Sequence, residues 1–214
     1  MKILAFTDFH GDEKIISKIL KKIKKEDPDI LVCPGDFTVF GKNLNSIMSK
    51  FLVGKPFVFI PGNHEDGEKS VYLFAKKPGA LLVHQTGIVV RGILFVGSGG
   101  GIYGRNEPTL DISKRLLAQK IKNFKKNDSK GKVVFITHRP AYGTNCDFMP
   151  EIRENVGAMN IRKFIEKNPI DLHICGHIHE CFNTQDKIGK TVTINPGPYG
   201  TIINISNKVT IARK

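Results

Sequence analysis

The chain has 214 residues, of which 40% are hydrophobic and 8% aromatic, and its formal net charge is +13. This length can bury a full core, and no linker, repeat or low-complexity block divides the chain, which predicts a single domain over residues 1–214. Only five apolar or small residues separate Lys2 from Asp8, too few for a signal sequence or a membrane span, so a cytoplasmic protein is expected. The four cysteines form no C-x-x-C pair and are expected to be reduced.

Lysine supplies most of the positive charge, much of it in segments of helical periodicity such as residues 21–25 and 120–132. Solvated lysine faces are the favoured explanation. The alternative is an attractive field for an anionic ligand or a nucleic acid. Because nucleic-acid surfaces favour arginine interleaved with aromatic residues, and lysine here far outnumbers arginine, nucleic acid is possible but a small phosphate-bearing substrate is favoured.

The first part of the chain alternates between strands and helices. Residues 2–7 read as a strand, and Asp12 can cap a helix over residues 13–25 whose isoleucines and leucine share one face. A strand at 29–33, a helix at 45–53 and a strand at 56–60 follow. This β-α-β-α-β order predicts parallel strands joined by crossover helices.

The middle of the chain predicts short strands at 81–84, 88–91 and 93–96, followed by a Gly-rich stretch over 97–105. Gly99 to Gly104 matches G-x-G-x-x-G, but residues 105–108 do not begin as that fingerprint requires, so a flexible loop carrying Arg105 is expected. Asp111 is expected to cap the next helix, with Ile112, Leu116 and Leu117 facing inward.

The second half predicts a strand at 132–137, a helix at 160–167 and a strand at 171–175, and the tail predicts strands at 182–186, 191–195, 201–205 and 209–212. Two mixed β-sheets packed face to face, with helices outside, accommodate all of these elements. The predicted fold class is therefore α/β.

Five of the predicted strands, at 2–7, 29–33, 56–60, 132–137 and 171–175, are apolar runs followed within a few residues by side chains that bind metal ions or transfer protons. Near-continuous Val, Ile, Leu and Phe runs are typical of strands covered on both faces, and open α/β sheets place their sites at the carboxyl ends of such strands. We therefore interpret the five run ends as one site. Its members are Asp8 and His10, Asp36, the segment Asn63-His64-Glu65-Asp66, His138, and His177 with His179.

The last pair is the most suggestive of a metal site. If the backbone stays extended beyond Cys175, His177 and His179 point the same way, with Cα atoms roughly 6.5–7 Å apart. That spacing suits ligation of two neighbouring metal ions better than ligation of one ion by both histidines.

Taken in order, Asp8-x-His10, Gly35-Asp36, Gly62-Asn63-His64-Glu65, Thr137-His138 and Gly176-His177-x-His179 resemble the calcineurin-like metallophosphoesterases over nearly the whole chain. Residues 37–41, 141–144 and 195–198 resemble a small prokaryotic branch of predicted phosphoesterases related to cyclic-nucleotide phosphodiesterases. The resemblance implies a four-layer αββα fold and a binuclear centre that generates a metal-bridging hydroxide. It implies that one ion is held by Asp8, His10, Asp36 and His179, and the other by Asp36, Asn63, His138 and His177.

His64, beside Asn63, is the candidate general acid for the leaving oxygen, the alternative being a histidine that only holds Asn63. The protein Ser/Thr phosphatases carry a second Asp three residues after Gly-Asp and an Arg after it, whereas this chain has Val39 and Phe40. The usual orienting partner of the acid is therefore missing, and Asp66 or Glu65 could replace it. A protein phosphatase is correspondingly disfavoured.

Arg139 and Arg105 are candidate phosphate clamps, because a guanidinium matches two phosphate oxygens, although either could be an ordinary surface arginine. Mixed imidazole and oxygen ligands fit Mn²⁺, Fe, Co²⁺, Ni²⁺ or Zn²⁺ rather than Mg²⁺ alone, with Mn²⁺ favoured.

The favoured function is a binuclear metal-dependent phosphoesterase acting on phosphodiesters. The alternatives are a phosphomonoesterase for nucleotides or small metabolites, or a non-catalytic scaffold such as the phosphoesterase-fold subunit of the retromer coat. Nothing in the sequence indicates the oligomeric state.

Overall fold

The computed structural model describes residues 1–65, 67, 69–101 and 104–212. Within these residues the helices are α1 (Glu13–Glu26), α2 (Leu44–Ser49), α3 (Lys69–Phe74), α4 (Pro108–Asn127) and α5 (Met159–Lys167). The strands of the first half are β1 (Lys2–Ala5), β2 (Ile30–Cys33), β3 (Phe57–Phe59), β4 (Ala80–Leu82), β5 (Thr86–Val90) and β6 (Ile93–Ser98). Those of the second half are β7 (Val133–Thr137), β8 (Phe148–Met149), β9 (Glu154–Asn155), β10 (Leu172–Ile174), β11 (Thr184–Ile188), β12 (Thr191–Asn195), β13 (Thr201–Ile205) and β14 (Val209–Ile211).

Twelve of these strands form two mixed sheets of six strands each. The first sheet has the order β14-β13-β1-β2-β3-β4, and the second has the order β11-β12-β10-β7-β6-β5. In each sheet four adjacent strands are parallel, namely β1 to β4 in the first, where β4 is the edge strand, and β6, β7, β10 and β12 in the second. The outer strands β13, β14, β5 and β11 pair antiparallel, and β8 and β9 form a separate ribbon.

Side chains that alternate along the strands build three apolar layers. Ile3 and Val32 of the first sheet pack with Val134 and Ile174 of the second in the core between the sheets. Their strand neighbours point outward, where they pack against α1, α2 and α3 on one side and against α4 and α5 on the other. The order helix, sheet, sheet, helix confirms the predicted α/β fold class.

Helix α4 begins earlier than the sequence indicated, and of the three residues predicted to face inward Leu117 does so, whereas Ile112 and Leu116 do not. Pro108 occupies the first turn, and the Glu107 side chain rather than Asp111 accepts the capping bond, from the N–H of Thr109. Ile112 and Leu116 are 78% and 52% exposed, because they lie roughly opposite the buried face on a helix of 3.6 residues per turn. That buried face is formed by Leu110, Ser113, Leu117 and Ile121.

Other local predictions fared better. Asp12 caps α1 by accepting bonds from the N–H groups of Lys14 and Ile15, as predicted. The four cysteines are free, buried thiols. Helix α3 and the β8-β9 ribbon were not predicted. No helix among the described residues combines the length and hydropathy that crossing a membrane requires.

Candidate metal centre

The residues singled out in the sequence converge at one edge of the two sheets. Segments that follow β1, β2 and β3 of the first sheet contribute Asp8, His10, Asp36, Asn63 and His64, whereas segments that follow β7 and β10 of the second contribute His138, His177 and His179. This is the edge at which the parallel strands of each sheet end. Carboxyl ends of parallel strands are where α/β folds build their sites.

One cluster of donor atoms lies around His10 and His179. Their Nε2 atoms are 3.5 Å apart, and His179 Nε2 lies 3.8 Å from Asp8 Oδ1. Asp36 Oδ2 lies 3.9 Å from His10 Nε2. Donor atoms that each sit about 2 Å from one ion stand roughly 3 to 4 Å from one another, so these atoms are spaced for a shared cation.

A second cluster lies on the other side of Asp36. The Asn63 Oδ1 atom is 3.0 Å from both His138 Nε2 and His177 Nδ1. His138 Nε2 lies 3.4 Å from Asp36 Oδ2. Asp36 therefore contacts both clusters, and donor groups drawn from Asp8, His10, Asp36, His64, His138 and His179 form three overlapping sets whose ligand atoms lie within 4.8 Å of one another.

The backbone at these residues is unusually strained. Asp8, His10, Asp36 and His177 have φ angles of 52°, 45°, 49° and 73°, in the left-handed region that residues other than glycine rarely adopt. Each such residue costs on the order of 1–3 kcal/mol and persists only where surrounding structure enforces it, most often at functional sites. Hydrogen bonds between the segments enforce it here, including His10 N–H to the Asp36 carbonyl at 3.1 Å.

The left-handed φ of His177 overturns the expectation of an extended H-x-H segment. Strand β10 ends at Ile174, and His179 opens a short 3₁₀ turn over His179–Cys181. The backbone turns because Gly176 lies against Asp8, which accepts the His177 N–H through both carboxylate oxygens at 3.0 and 3.2 Å. Both imidazoles still reach the site.

Two glycines allow the segments after β2 and β3 to touch. A Cβ on Gly62 would collide with the side chain of Asp36, and one on Gly35 would collide with the Gly62 backbone. The close approach brings Asp36 Oδ1 within 3.0 Å of the His64 N–H. Any larger residue at Gly35 or Gly62 would push Asp36 out of its present position.

Two histidines are oriented by backbone carbonyls. His138 Nδ1 lies 2.9 Å from the Pro34 carbonyl, and His10 Nδ1 lies 3.3 Å from the Thr38 carbonyl. A carbonyl can only accept, so each Nδ1 carries a hydrogen and each Nε2 is the nitrogen that faces the cluster. Metal-binding histidines are typically oriented in this way.

The electrostatics of the site favour added positive charge. Asp8 and Asp36 are buried side by side, and burial is the main cause that raises the pKa of Asp8. Burial alone would lower the pKa of His138, but Asp36 and Asp8 outweigh it and raise that pKa to about 9. The two carboxylates thus draw a proton onto His138, and a divalent cation would satisfy the same demand while leaving the imidazole nitrogen free to bind it.

The sequence over residues 1–181 matches the family described as calcineurin-like phosphoesterase. The chain belongs to the calcineurin-like phosphoesterase family. It is 32% identical over 209 residues to the uncharacterized protein MJ1162 of Methanocaldococcus jannaschii, an alignment that covers 92% of this chain and 88% of the relative.

Solved structures share the fold at low sequence identity. A dimetal phosphatase from Danio rerio has a TM-score of 0.64 at 11% identity, with 95% of this chain and 92% of that chain covered. An archaeal phosphodiesterase has a TM-score of 0.51 at 15% identity, with 99% of this chain and 100% of that chain covered. These likenesses show the phosphoesterase fold.

His64 lies at the edge of the donor clusters. Its Nε2 is 3.9 Å from Asp36 Oδ2, and its ring centroid is 4.6 Å from that of His10. Its Nδ1 is buried and has no hydrogen-bond partner among the described residues. The expectation that Glu65 could orient it is wrong, and Asp66, the other candidate, lies outside the described residues.

Glu65 instead ties together the segments after β2 and β3. Its carboxylate accepts hydrogen bonds from the N–H groups of Asp36, Thr38 and Gly62 and from the Thr38 hydroxyl, at 2.6 to 3.1 Å. Burial, with a smaller contribution from Asp36, raises the pKa of Glu65 to about 7. This role in linking the two segments was not predicted, because only the fold shows which N–H groups lie near the carboxylate.

The two arginines occupy different environments in one cleft of about 490 Å³. Arg139 is buried and donates to the carbonyls of Gly104, Asn106 and Val156, at 2.7 to 3.2 Å. Those bonds favour a role for Arg139 in holding the cleft walls over direct phosphate binding. Arg105 is exposed in the same cleft.

Proposed function

We propose that this chain is a binuclear metal-dependent phosphoesterase, and that it favours phosphodiesters. The observation that carries the proposal is the position of Asp36, which contacts donor clusters on both sides. In the arrangement we propose, Asp8, His10, Asp36 and His179 hold one ion, and Asp36, Asn63, His138 and His177 hold the other. The dimetal phosphatase from Danio rerio, which shares the fold, is consistent with a pair of ions.

The donor set fits divalent transition metals. Imidazole nitrogens, carboxylate oxygens and one amide oxygen suit Mn²⁺, Fe, Co²⁺, Ni²⁺ or Zn²⁺, and we favour Mn²⁺. When bound, such ions neutralise phosphoryl oxygens and lower the pKa of a water molecule enough to supply a nucleophile at neutral pH.

The protein's own contribution is orientation and proton transfer. The buried Glu65 holds the Asp36 backbone in place, and carbonyls fix the rings of His10 and His138. His64 is the side chain that we propose protonates the leaving oxygen, because its Nε2 lies near Asp36 at the more exposed margin of the site.

The preference for diesters follows from the environments of the arginines. A monoester dianion carries an extra charge that rigid guanidinium groups usually bind. Arg139 lines the cleft but donates to three carbonyls, whereas Arg105 is exposed there and is the guanidinium that we propose contacts the phosphate. A diester monoanion needs less positive charge, and we propose that its second arm lies in the cleft lined by Arg139, the residue that follows His138. The likeness to an archaeal phosphodiesterase agrees with this choice.

A phosphomonoesterase is the second candidate, supported by the exposed guanidinium of Arg105 in that cleft. The deciding experiment compares kcat/KM on bis-(p-nitrophenyl) phosphate and p-nitrophenyl phosphate, with the same reconstituted metal and across a wider phosphoester panel. We expect the diester to be preferred and EDTA to abolish turnover. A clear preference for the monoester would favour the phosphatase alternative, and no metal-dependent turnover on any ester would contradict the enzymatic proposal.

A further inference from the structure

We propose that Phe40 positions the imidazole of His64 by stacking on it. This inference rests on the proposed function, because it assigns His64 a proton to deliver. The two ring centroids are 4.5 Å apart and the ring planes differ by 24°, which is a parallel stack. Phe40 is nonetheless 70% exposed, so burial in the core does not explain its position.

The backbone of Phe40 is held in a costly conformation. Its φ is 49°, a left-handed value that is an outlier for a bulky residue. An exposed apolar side chain in a strained turn gains little stability from its surroundings. Strain of this kind points to a functional requirement, and the ring contact with His64 is what the conformation achieves.

The turn that carries Phe40 is anchored to the metal centre. The Thr38 hydroxyl donates to Glu65 at 2.6 Å and accepts the Gly41 N–H at 3.1 Å, and the Lys42 N–H donates to the Val39 carbonyl at 3.2 Å. The Thr38 carbonyl also faces His10 Nδ1. One turn, fastened by the buried Glu65, therefore controls the orientation of both His10 and, through Phe40, His64.

The His64 ring depends on these contacts for its orientation. Its backbone N–H is fixed by Asp36 Oδ1 at 3.0 Å, but its Nδ1 has no hydrogen-bond partner among the described residues. The ring lies between the face of Phe40 and the ring of His10, which meets it at 65°. Rotation about the bond to the ring would break the stack and swing Nε2 away from its position near Asp36.

The test is a double-mutant cycle between Phe40 and His64. Phe40→Ala and Phe40→Leu remove the aromatic plane, whereas Phe40→Trp retains it, and each is made in the wild type and in His64→Ala. With a poor alkyl leaving group, Phe40→Ala and Phe40→Leu should lower kcat roughly 3- to 10-fold with little change in KM. Phe40→Trp should keep most of the wild-type kcat. With a nitrophenyl leaving group, kcat should change little in all three Phe40 variants.

In the His64→Ala background the same Phe40 substitutions should have almost no effect, because the group that Phe40 positions is gone. Equal losses in both backgrounds would overturn the inference and make Phe40 a substrate-contact or structural residue. Ile112→Ala, which removes an exposed apolar side chain from α4, is the control and should change neither parameter. Metal content should be unchanged in every Phe40 variant.

A second readout does not depend on turnover. NMR relaxation of the His64 ring C–H groups should report increased ring motion in Phe40→Ala and Phe40→Leu but not in Phe40→Trp. Unchanged ring order in Phe40→Ala would also overturn the inference. An active enzyme with an additive cycle would refute the role of Phe40 alone, whereas a metal-loaded wild type inactive on every ester would refute the proposed function.

Discussion

The Nε2 atoms of His10 and His179 lie 3.5 Å apart, although the two residues are 169 positions apart in the chain. His10 follows the first strand of one sheet, and His179 follows a strand of the other. The two nitrogens are close enough to share a hydrogen, and in the arrangement we propose they would both bind one cation. Asp36 Oδ2 lies 3.9 Å from His10 Nε2 and 3.4 Å from His138 Nε2, so it lies between this pair and the second cluster of donor atoms.

Asp36→Asn should remove both metal ions and essentially all turnover, because we propose that Asp36 binds both and an amide cannot replace a shared carboxylate. His179→Ala should lose only one equivalent. Elemental analysis of the purified variants after dialysis measures both outcomes. Asp111→Asn, an identical change on the surface of α4, is the control and should keep the full metal content. If Asp36→Asn lost only one equivalent of metal, Asp36 would not be a ligand of both ions.

His64→Ala should slow hydrolysis of an alkyl ester by roughly 10²-fold or more, since general acid catalysis matters most for poor leaving groups. A nitrophenyl ester, whose leaving group needs no proton, should be affected far less. Steady-state kcat on matched alkyl and nitrophenyl diesters makes the comparison. If both esters slowed equally, His64 would be a structural or substrate-binding residue.

The two arginines should give different phenotypes. Arg139→Ala leaves three carbonyls without their donor and should lower the free energy of unfolding by about 2–4 kcal/mol, along with turnover on diesters and monoesters alike. Arg105→Ala should leave stability unchanged and mainly alter the ratio of diester to monoester kcat/KM. Urea denaturation and kinetics on both ester types test this, with the exposed Arg115→Ala as control. A stable Arg139→Ala with selective loss on monoesters would restore Arg139 as a phosphate clamp.

Stability should depend on pH through the buried His173. Its ring nitrogens bond the hydroxyls of Thr137 and Thr193, and burial lowers its pKa from 6.5 to about 3. Between these values the unfolded chain binds a proton that the folded chain does not, so this contribution is present above pH 6.5 and is lost as the pH falls toward 3.

Urea denaturation of wild type and His173→Gln at two pH values isolates this effect, because other titrating groups cancel in the difference. The stability advantage of the wild type should shrink by about 2 kcal/mol between pH 7 and pH 5. Parallel losses in the two proteins would mean that another group dominates the acid sensitivity.

The sequence predicted the fold class and brought out the side chains that meet at the site, because apolar runs and the polar residues that follow them are local patterns. It misplaced Ile112 and Leu116 of α4, since the helix begins before Asp111 and the turn that adds Leu110 to the buried face was not anticipated. It also missed the turn at His177 and the anchoring role of Glu65. Both depend on contacts between segments far apart in the chain, which no local pattern contains.

The donors of each proposed ion come from both sheets, with Asp36 on one side and His138, His177 or His179 on the other. The distance between the donor atoms of the two sheets is therefore set by the apolar layer between the sheets, which acts as a spacer for the proposed metal centre. A close-packed layer of this kind transmits small displacements instead of absorbing them. A core substitution such as Val134→Ala, which removes no proposed ligand, should therefore change metal affinity while the fold stays intact.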